Sequence, residues 1–326
     1  MYIGNIKIDG VVALGPMAGI TTESYRRFMK PYGVALSYTE MISDCGIIYR
    51  NQETFTYLPS NKSDHPVALQ LFGSSKETLL QALAIIEQEQ VPYDILDINL
   101  GCPMPKVTKN GGGSSWLTRP QELFEMMSLL VKNSPKPVTA KIRLGWDENS
   151  INFFEIIHRL EEAGVAAIAL HVRTRAQMYS GFGKYELVEN LRSKMRVPLI
   201  ISGDIFTLDD AVKARNITGA EMVMVARGGV GHPHLIQQID HYYKTGVKLN
   251  DASLQEQIVV MKHLLKLSVE DRGEKRTLNE MRGTLPKFLT GYPHTKKYRV
   301  AITSQATSII DIENILLQVE KDALSV

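Results

Sequence analysis

The chain reads as an α/β protein: a (β/α)8 TIM barrel followed by a small all-helical C-terminal domain. Three observations carry that reading. Short, β-branched, almost uninterrupted apolar runs recur about every 30 residues, eight times before residue 245. Segments with helical apolar spacing fall between them, the alternation expected of a parallel sheet wrapped by helices. Beyond about residue 245 the strand-like runs stop and only helical spacing continues. The domains are therefore expected at 1–245 and 246–326.

The first ten residues, with Gly4-Asn5 between short alternating runs, predict a small hairpin closing the barrel bottom. The eight barrel strands are expected at 11–18, 35–41, 67–72, 95–100, 138–144, 168–172, 199–205 and 222–226. Between them, 75–89 lines up Leu79, Leu83 and Ile86 on one helical face, and 120–131 opens on a proline suited to a first helical turn. Segments 151–162 and 208–214 follow the same logic. A linker is expected over 242–251. The helical region then places Leu254, Ile258, Met261 and Leu265 on one stripe. Leu278, Met281, Leu285 and Phe288 form a second stripe, and Ile309, Ile312, Leu316 and Val319 a third. A doubly wound sheet is the competing architecture, but the loop after the first strand, Gly15-Pro16-Met17-Ala18-Gly19, lacks the G-x-G-x-x-G spacing of a dinucleotide site.

Composition narrows the class. The 326 residues are 44% hydrophobic and 22% charged, with a net charge of +2, ordinary for a soluble globular protein and too mild to imply nucleic acid by itself. Two cysteines, Cys45 and Cys102, make neither a disulfide framework nor a metal cluster. No leader pattern and no apolar run of about 18 residues is present, so a cytoplasmic protein without membrane or metal is expected.

In such a barrel, polar residues at the carboxyl ends of strands mark the active site. Each tip here carries a candidate, polar at all but the first: Pro16-Met17, Glu40, Gln70, Asn99 with Cys102, Lys141 with Arg143, His171 with Arg173, Ser202-Gly203-Asp204, and Ala226-Arg227-Gly228-Gly229. Asn99-Leu100-Gly101-Cys102-Pro103 ends a strand in a tight turn that presents one thiol. On that segment alone Cys102 is equally a catalytic group or a small buried side chain. Lys141 and His171 alternate with apolar neighbours and so point toward the barrel axis, where a lysine needs an anion or an electron-rich ring. Glycines after strands 7 and 8, with Arg227, suit a phosphate. Phosphate at one end and amides and a lysine at the other describe a flavin mononucleotide site. The loop 103–116, with Lys106, Lys109 and three consecutive glycines, reads as a hinged lid. Eight Lys or Arg against two Glu between Arg272 and Arg299 suggest an RNA-binding face. His232 and His234 read as helix-start residues.

Taken in order, GPMAGIT (15–21), TEM (39–41), ALQLFG (68–73), DINLGCPMPKVTKNGGGS (97–114), AKIRLGW (140–146), LHVRTR (170–175), SGDI (202–205) and ARGGVGHP (226–233) resemble the tRNA-dihydrouridine synthase family over nearly the whole chain. The resemblance implies reduction of the C5–C6 bond of uridines in tRNA, with FMN as cofactor, NADPH (or NADH) as electron donor and Cys102 as general acid. It implies Pro16, Met17 and Ala18 behind the flavin and Gln70, Lys141 and His171 around its ring. Ser202, Gly203, Asp204, Ala226 and Arg227 would hold its phosphate end, and Asn99, Arg143 and Arg173 would face substrate. Ser202 and Ala226 depart from the family, where Asn and Gly are common; Ser loses reach and Ala restricts the loop. The partner implied is tRNA, and no protein partner is inferred. Two alternatives remain: an FMN barrel acting on a free pyrimidine, of the dihydroorotate dehydrogenase kind, and a non-catalytic RNA-binding flavoprotein.

Overall fold

Strands buried on both faces need helices outside and a filled interior, and the chain supplies both in a computed structural model that describes residues 1–62 and 64–324. A hairpin of β1 (Tyr2–Ile3) and β2 (Ile6–Lys7) turns at Gly4. The barrel comprises β3 (Val12–Leu14), β4 (Val34–Tyr38), β6 (Val67–Phe72), β7 (Ile95–Leu100), β8 (Val138–Arg143), β9 (Ala167–His171), β10 (Leu199–Ser202) and β11 (Met222–Val225). All pair in parallel, and closure comes from β11 pairing with β3 and β4 pairing with β6. A short additional strand, β5 (Ile42–Ser43), extends the edge of β6.

Period-two alternation separates two cores. Leu96, Ile98 and Leu100 of β7 join the large cluster between barrel and helices. Ile95 points inward among Ala13, Ala68, Ala167, Ala169, Ile200 and Met222, mostly small residues that fill the narrow lumen. Strands 1, 2 and 7 end earlier than their apolar runs. At the first, Pro16 has no N–H to give the ladder; at the seventh, Gly203 turns at φ +123°.

The outer helices are α1 (Glu23–Met29), α2 (Asp44–Ile48), α3 (Gln52–Phe55), α4 (Lys76–Gln88), α5 (Pro105–Thr108), α6 (Pro120–Asn133), α7 (Phe153–Glu162), α8 (Leu208–Thr218) and α9 (Pro233–Thr245). Leu79, Leu83 and Ile86 of α4 are buried as their spacing predicts. The end of α8 lies beyond the expected 214, between a Thr207–Asp210 capping box and a left-handed Gly219. The expected linker also starts too early: residues 242–245 finish α9, which stops at Gly246. His232 and His234 stand at the start of that helix.

The C-terminal region is helical: α10 (Leu254–Arg272), α11 (Glu274–Phe288), α12 (Lys296–Val300) with a π turn at Ala301–Gln305, and α13 (Ile309–Leu324). Residues 325 and 326 of the expected second domain lie outside the described residues. This region shares the barrel's outer core. Fully buried Phe28 of α1 meets His263 and Phe288, with ring centroids 5.8 and 6.3 Å away. Buried Gln257 donates to Gly231 O at 2.9 Å. Among the described residues no helix is long and apolar enough to cross a membrane.

Candidate active site

The β7 strand ends in a turn that its own residues organise. Asn99 Oδ1 accepts the backbone N–H of Cys102 at 2.8 Å and of Gly101 at 3.2 Å, so the thiol leaves the strand in a fixed direction. Asn99 Nδ2 donates to Gln70 Oε1 at 2.8 Å, and Gln70 Nε2 donates to Asp97 Oδ2 at 2.7 Å. Burial pushes the Cys102 thiol up, although the Met104 backbone N–H, Arg143 and Lys141 oppose it, so it keeps its proton at neutral pH. That is the state a proton donor needs.

Cys102 opens into a cavity of about 470 Å³ at the carboxyl ends of the strands. Pro16, Met17, Ala18, Gln70, Asn99, Lys141, Arg143, His171, Ser202, Gly203, Asp204, Ala226 and Arg227 all line it. Arg173 alone of the expected cofactor and substrate residues lies outside this lining; of the other strand-tip residues, Glu40, which accepts the Gly19 N–H, and Gly229 lie outside it too. The Arg173 guanidinium is buried and donates to Asp204 Oδ1 and Oδ2 at 2.6 and 2.8 Å and to Gly181 O at 2.7 Å, holding Asp204 in a left-handed conformation at φ +51°. Arg143 reaches the cavity but spends its donors on carbonyls, Gly101 O, Thr174 O and Met178 O, each at 2.8 Å. It thereby ties the thiol's loop to the loop after β9.

The cavity is electropositive. Lys141 Nζ has no ion pair or hydrogen bond among the described residues, and its pKa is pushed down to about 8 by burial and by Arg143, against the pull of Asp97 and Cys102. Burial, with the nearby cations, holds the His171 pKa well below the usual range, so this imidazole is neutral, and its Nδ1 has no hydrogen-bond partner among the described residues. Arg227 is exposed, pairs with no carboxylate among the described residues and lies 4.7 Å over the Tyr179 ring and 5.9 Å from that of Phe206. A pocket of this volume, with two cations free of ion pairs among the described residues and a wall of Pro16, Met17 and Met224, fits a flat ring bearing an anionic tail.

Two expectations change. Gly228 is required by protein backbone: a Cβ there would come within 2.0 Å of Ile205 O, so the glycine lets the last two loops meet. The 103–116 segment is not hinged throughout. Ser114 Oγ donates to Cys102 O at 2.8 Å and Trp116 Nε1 to Gly73 O at 2.9 Å, which pins its second half beneath the thiol. Only Met104, Pro105, Lys106, Lys109 and Asn110 stay exposed.

Sequence reasoning missed Tyr179 and Phe206 at the rim and Asp97 beneath the floor. Asp97 left a trace, as an acidic residue one strand period before Asn99 in an otherwise apolar run. Tyr179 and Phe206 left none beyond being aromatics in loops.

The family model described as dihydrouridine synthase (Dus) matches residues 11–323. The chain is 33% identical to a probable tRNA-dihydrouridine synthase 1 of Synechocystis over 90% of this chain and 82% of that one. It is 32% identical to a tRNA-dihydrouridine synthase B of Shewanella oneidensis, over 82% and 83%. Among solved structures, an old yellow enzyme homologue from Zymomonas mobilis superposes with a TM-score of 0.55 at 11% identity, covering 78% of this chain and 94% of that one. That likeness shows the barrel fold.

Proposed function

The chain belongs to the dihydrouridine synthase family, and on that premise we propose that it reduces the C5–C6 bond of uridines in tRNA, with FMN as the flavin and NADPH as the reductant. The observation that carries the reading is a single protonated thiol, held by Asn99 at the rim of an electropositive cavity.

Bound FMN supplies hydride for C6 of the uracil ring. Of the residues lining the cavity, Pro16, Met17 and Ala18 would back its ring, with Gln70, Lys141 and His171 around the edge. Ser202, Gly203, Asp204, Ala226 and Arg227 would hold the phosphate end. Lys141 would stabilise negative charge on the ring. The Cys102 thiol gives its proton to C5 on the uracil's open side. Asn99 and Arg143 hold that loop in place, and Arg173 acts through Asp204. The target base leaves the RNA stack to enter the cavity, while the C-terminal helices meet the phosphate backbone.

The test is turnover of unmodified tRNA by the purified protein with NADPH, read as dihydrouridine by nucleoside analysis. FMN should be released on denaturation. No dihydrouridine, together with turnover of free dihydroorotate, would sink this reading in favour of a free-pyrimidine enzyme.

A further inference from the structure

Asp97 has no place in the scheme above, yet it is the least expected side chain in the lumen. It is fully buried on β7, one inward step before Asn99. Its two oxygens are both engaged: Thr139 Oγ1 donates to Oδ1 at 2.6 Å and Gln70 Nε2 donates to Oδ2 at 2.7 Å. Lys141 of β8 and Tyr38 of β4 are the other titratable groups that face it.

An amide is a two-ended connector, donor at nitrogen and acceptor at oxygen. An ionised carboxylate only accepts. Asp97 therefore admits one orientation of Gln70, nitrogen down and oxygen up. Gln70 Oε1 in turn admits one orientation of Asn99, nitrogen toward Gln70 at 2.8 Å and oxygen toward the N–H groups of Gly101 and Cys102. Reversing either amide would set donor against donor or acceptor against acceptor, at a buried site where an unmade hydrogen bond costs more than a made one contributes.

We propose that Asp97 is a positioning residue that sets the direction of a hydrogen-bond relay, Asp97 to Gln70 to Asn99, and through it fixes the turn that presents the Cys102 thiol. The relay serves the proton-donor role given to Cys102 above. It predicts a dependence on donor and acceptor polarity that packing alone would not produce.

The experiment uses Gln70→Glu, alone and with Asp97→Asn, in a Cys45→Ala background so that iodoacetamide reports only Cys102. In Gln70→Glu two carboxylates face each other. While they share a proton, the introduced carboxyl group mimics the amide it replaces; once both ionise, the contact becomes acceptor against acceptor. Cys102 alkylation, normalised to thiolate content, should then rise about tenfold relative to the background protein between about pH 6 and pH 9. Dihydrouridine formation should fall over the same interval. In the double variant the new amide at position 97 donates to the new carboxylate at position 70 while still accepting from Thr139. That carboxylate accepts from Asn99 in turn, so polarity is restored with net charge unchanged. In thiolate-normalised Cys102 alkylation the double variant should return to within about threefold of the background protein at every pH.

Gln70→Glu indistinguishable from the background protein across that range, or a double variant no better than the single one, overturns the relay. Alkylation needs no substrate, so failure of the parent protein to act on tRNA would count against the proposed activity and leave this result intact.

Discussion

The barrel mouth and the C-terminal helices are both rich in Lys and Arg, and they hold that charge in opposite ways. At the mouth, Lys141 and Arg227 form no ion pair among the described residues, although the buried Asp97 carboxylate faces Lys141. The one acidic side chain lining the cavity, Asp204, is taken by Arg173. In the C-terminal region much of the charge is answered locally. Arg272 and Arg276 share Glu280 at 3.6 and 3.2 Å, Lys297 pairs with Asp322 at 2.8 Å and Lys262 with Glu320 at 2.6 Å. Lys275, Lys287 and Lys296 are left exposed without an ion pair among the described residues. Buried charge without a close counter-ion, as at Lys141, costs desolvation and awaits a specific anion. Charge spread on a helix surface and half-neutralised suits a diffuse, salt-sensitive contact. A run of eight basic residues in sequence therefore overstated the positive face that the fold presents.

The sharpest way to break the contrast is at the thiol. Cys102→Ala should keep FMN and its reduction by NADPH while losing about 10² to 10⁴ in uridine reduction, the usual range for a general acid. Single-turnover dihydrouridine formation checks this, with Cys45→Ala as the matched control. Near-parental turnover would remove the proton-donor role.

The junction between the two regions comes next. Phe28→Ala empties a fully buried site touching His263 and Phe288, and should cost about 3–5 kcal/mol of stability by denaturant unfolding. A loss below about 1 kcal/mol would mean that the helices sit on the barrel without sharing its core. For the same reason, ending the chain near residue 245 would expose apolar barrel surface, so point substitutions test RNA binding more cleanly.

Lys141 tests the concealed charge. Its ammonium attracts an anionic ligand, and with a pKa of about 8 the proton is lost as pH rises through that value. Affinity of the flavin-free protein for FMN should therefore fall between about pH 7 and pH 9. Lys141→Met should lower affinity about tenfold at neutral pH and flatten that dependence, read by fluorescence titration. An unchanged pH profile in the variant would assign the dependence to another group.

The smallest effects belong to the helix surface. Lys275→Ala, Lys287→Ala and Lys296→Ala should each reduce the slope of log tRNA affinity against log salt by roughly one. Lys297→Ala, already paired with Asp322, should reduce it less. Equal effects at all four positions would erase the distinction between paired and free lysines.

The alternation of Lys141 and His171 with apolar neighbours was legible in the sequence because a strand repeats every two residues and turns alternate members to one side. The same local rule placed Cys102 on a turn, since Gly101 and Pro103 flank it whatever lies nearby. The stripes of the C-terminal helices were equally local, down to buried Ile312, Leu316 and Val319. Tertiary structure alone decided that Arg173 would serve Asp204 and stay out of the cavity, because Asp204 lies 31 residues away on another loop. It also decided that Gly228 would make room for Ile205, that Tyr179 and Phe206 would each lie against Arg227, and that Glu280 and Asp322 would neutralise cations elsewhere in the region. Periodicity and turn chemistry act over a few residues and can be read along the chain. Which hydrogen bond a donor makes, and which charge finds a counter-charge, depends on groups brought together only when the barrel closes and the helices pack against it.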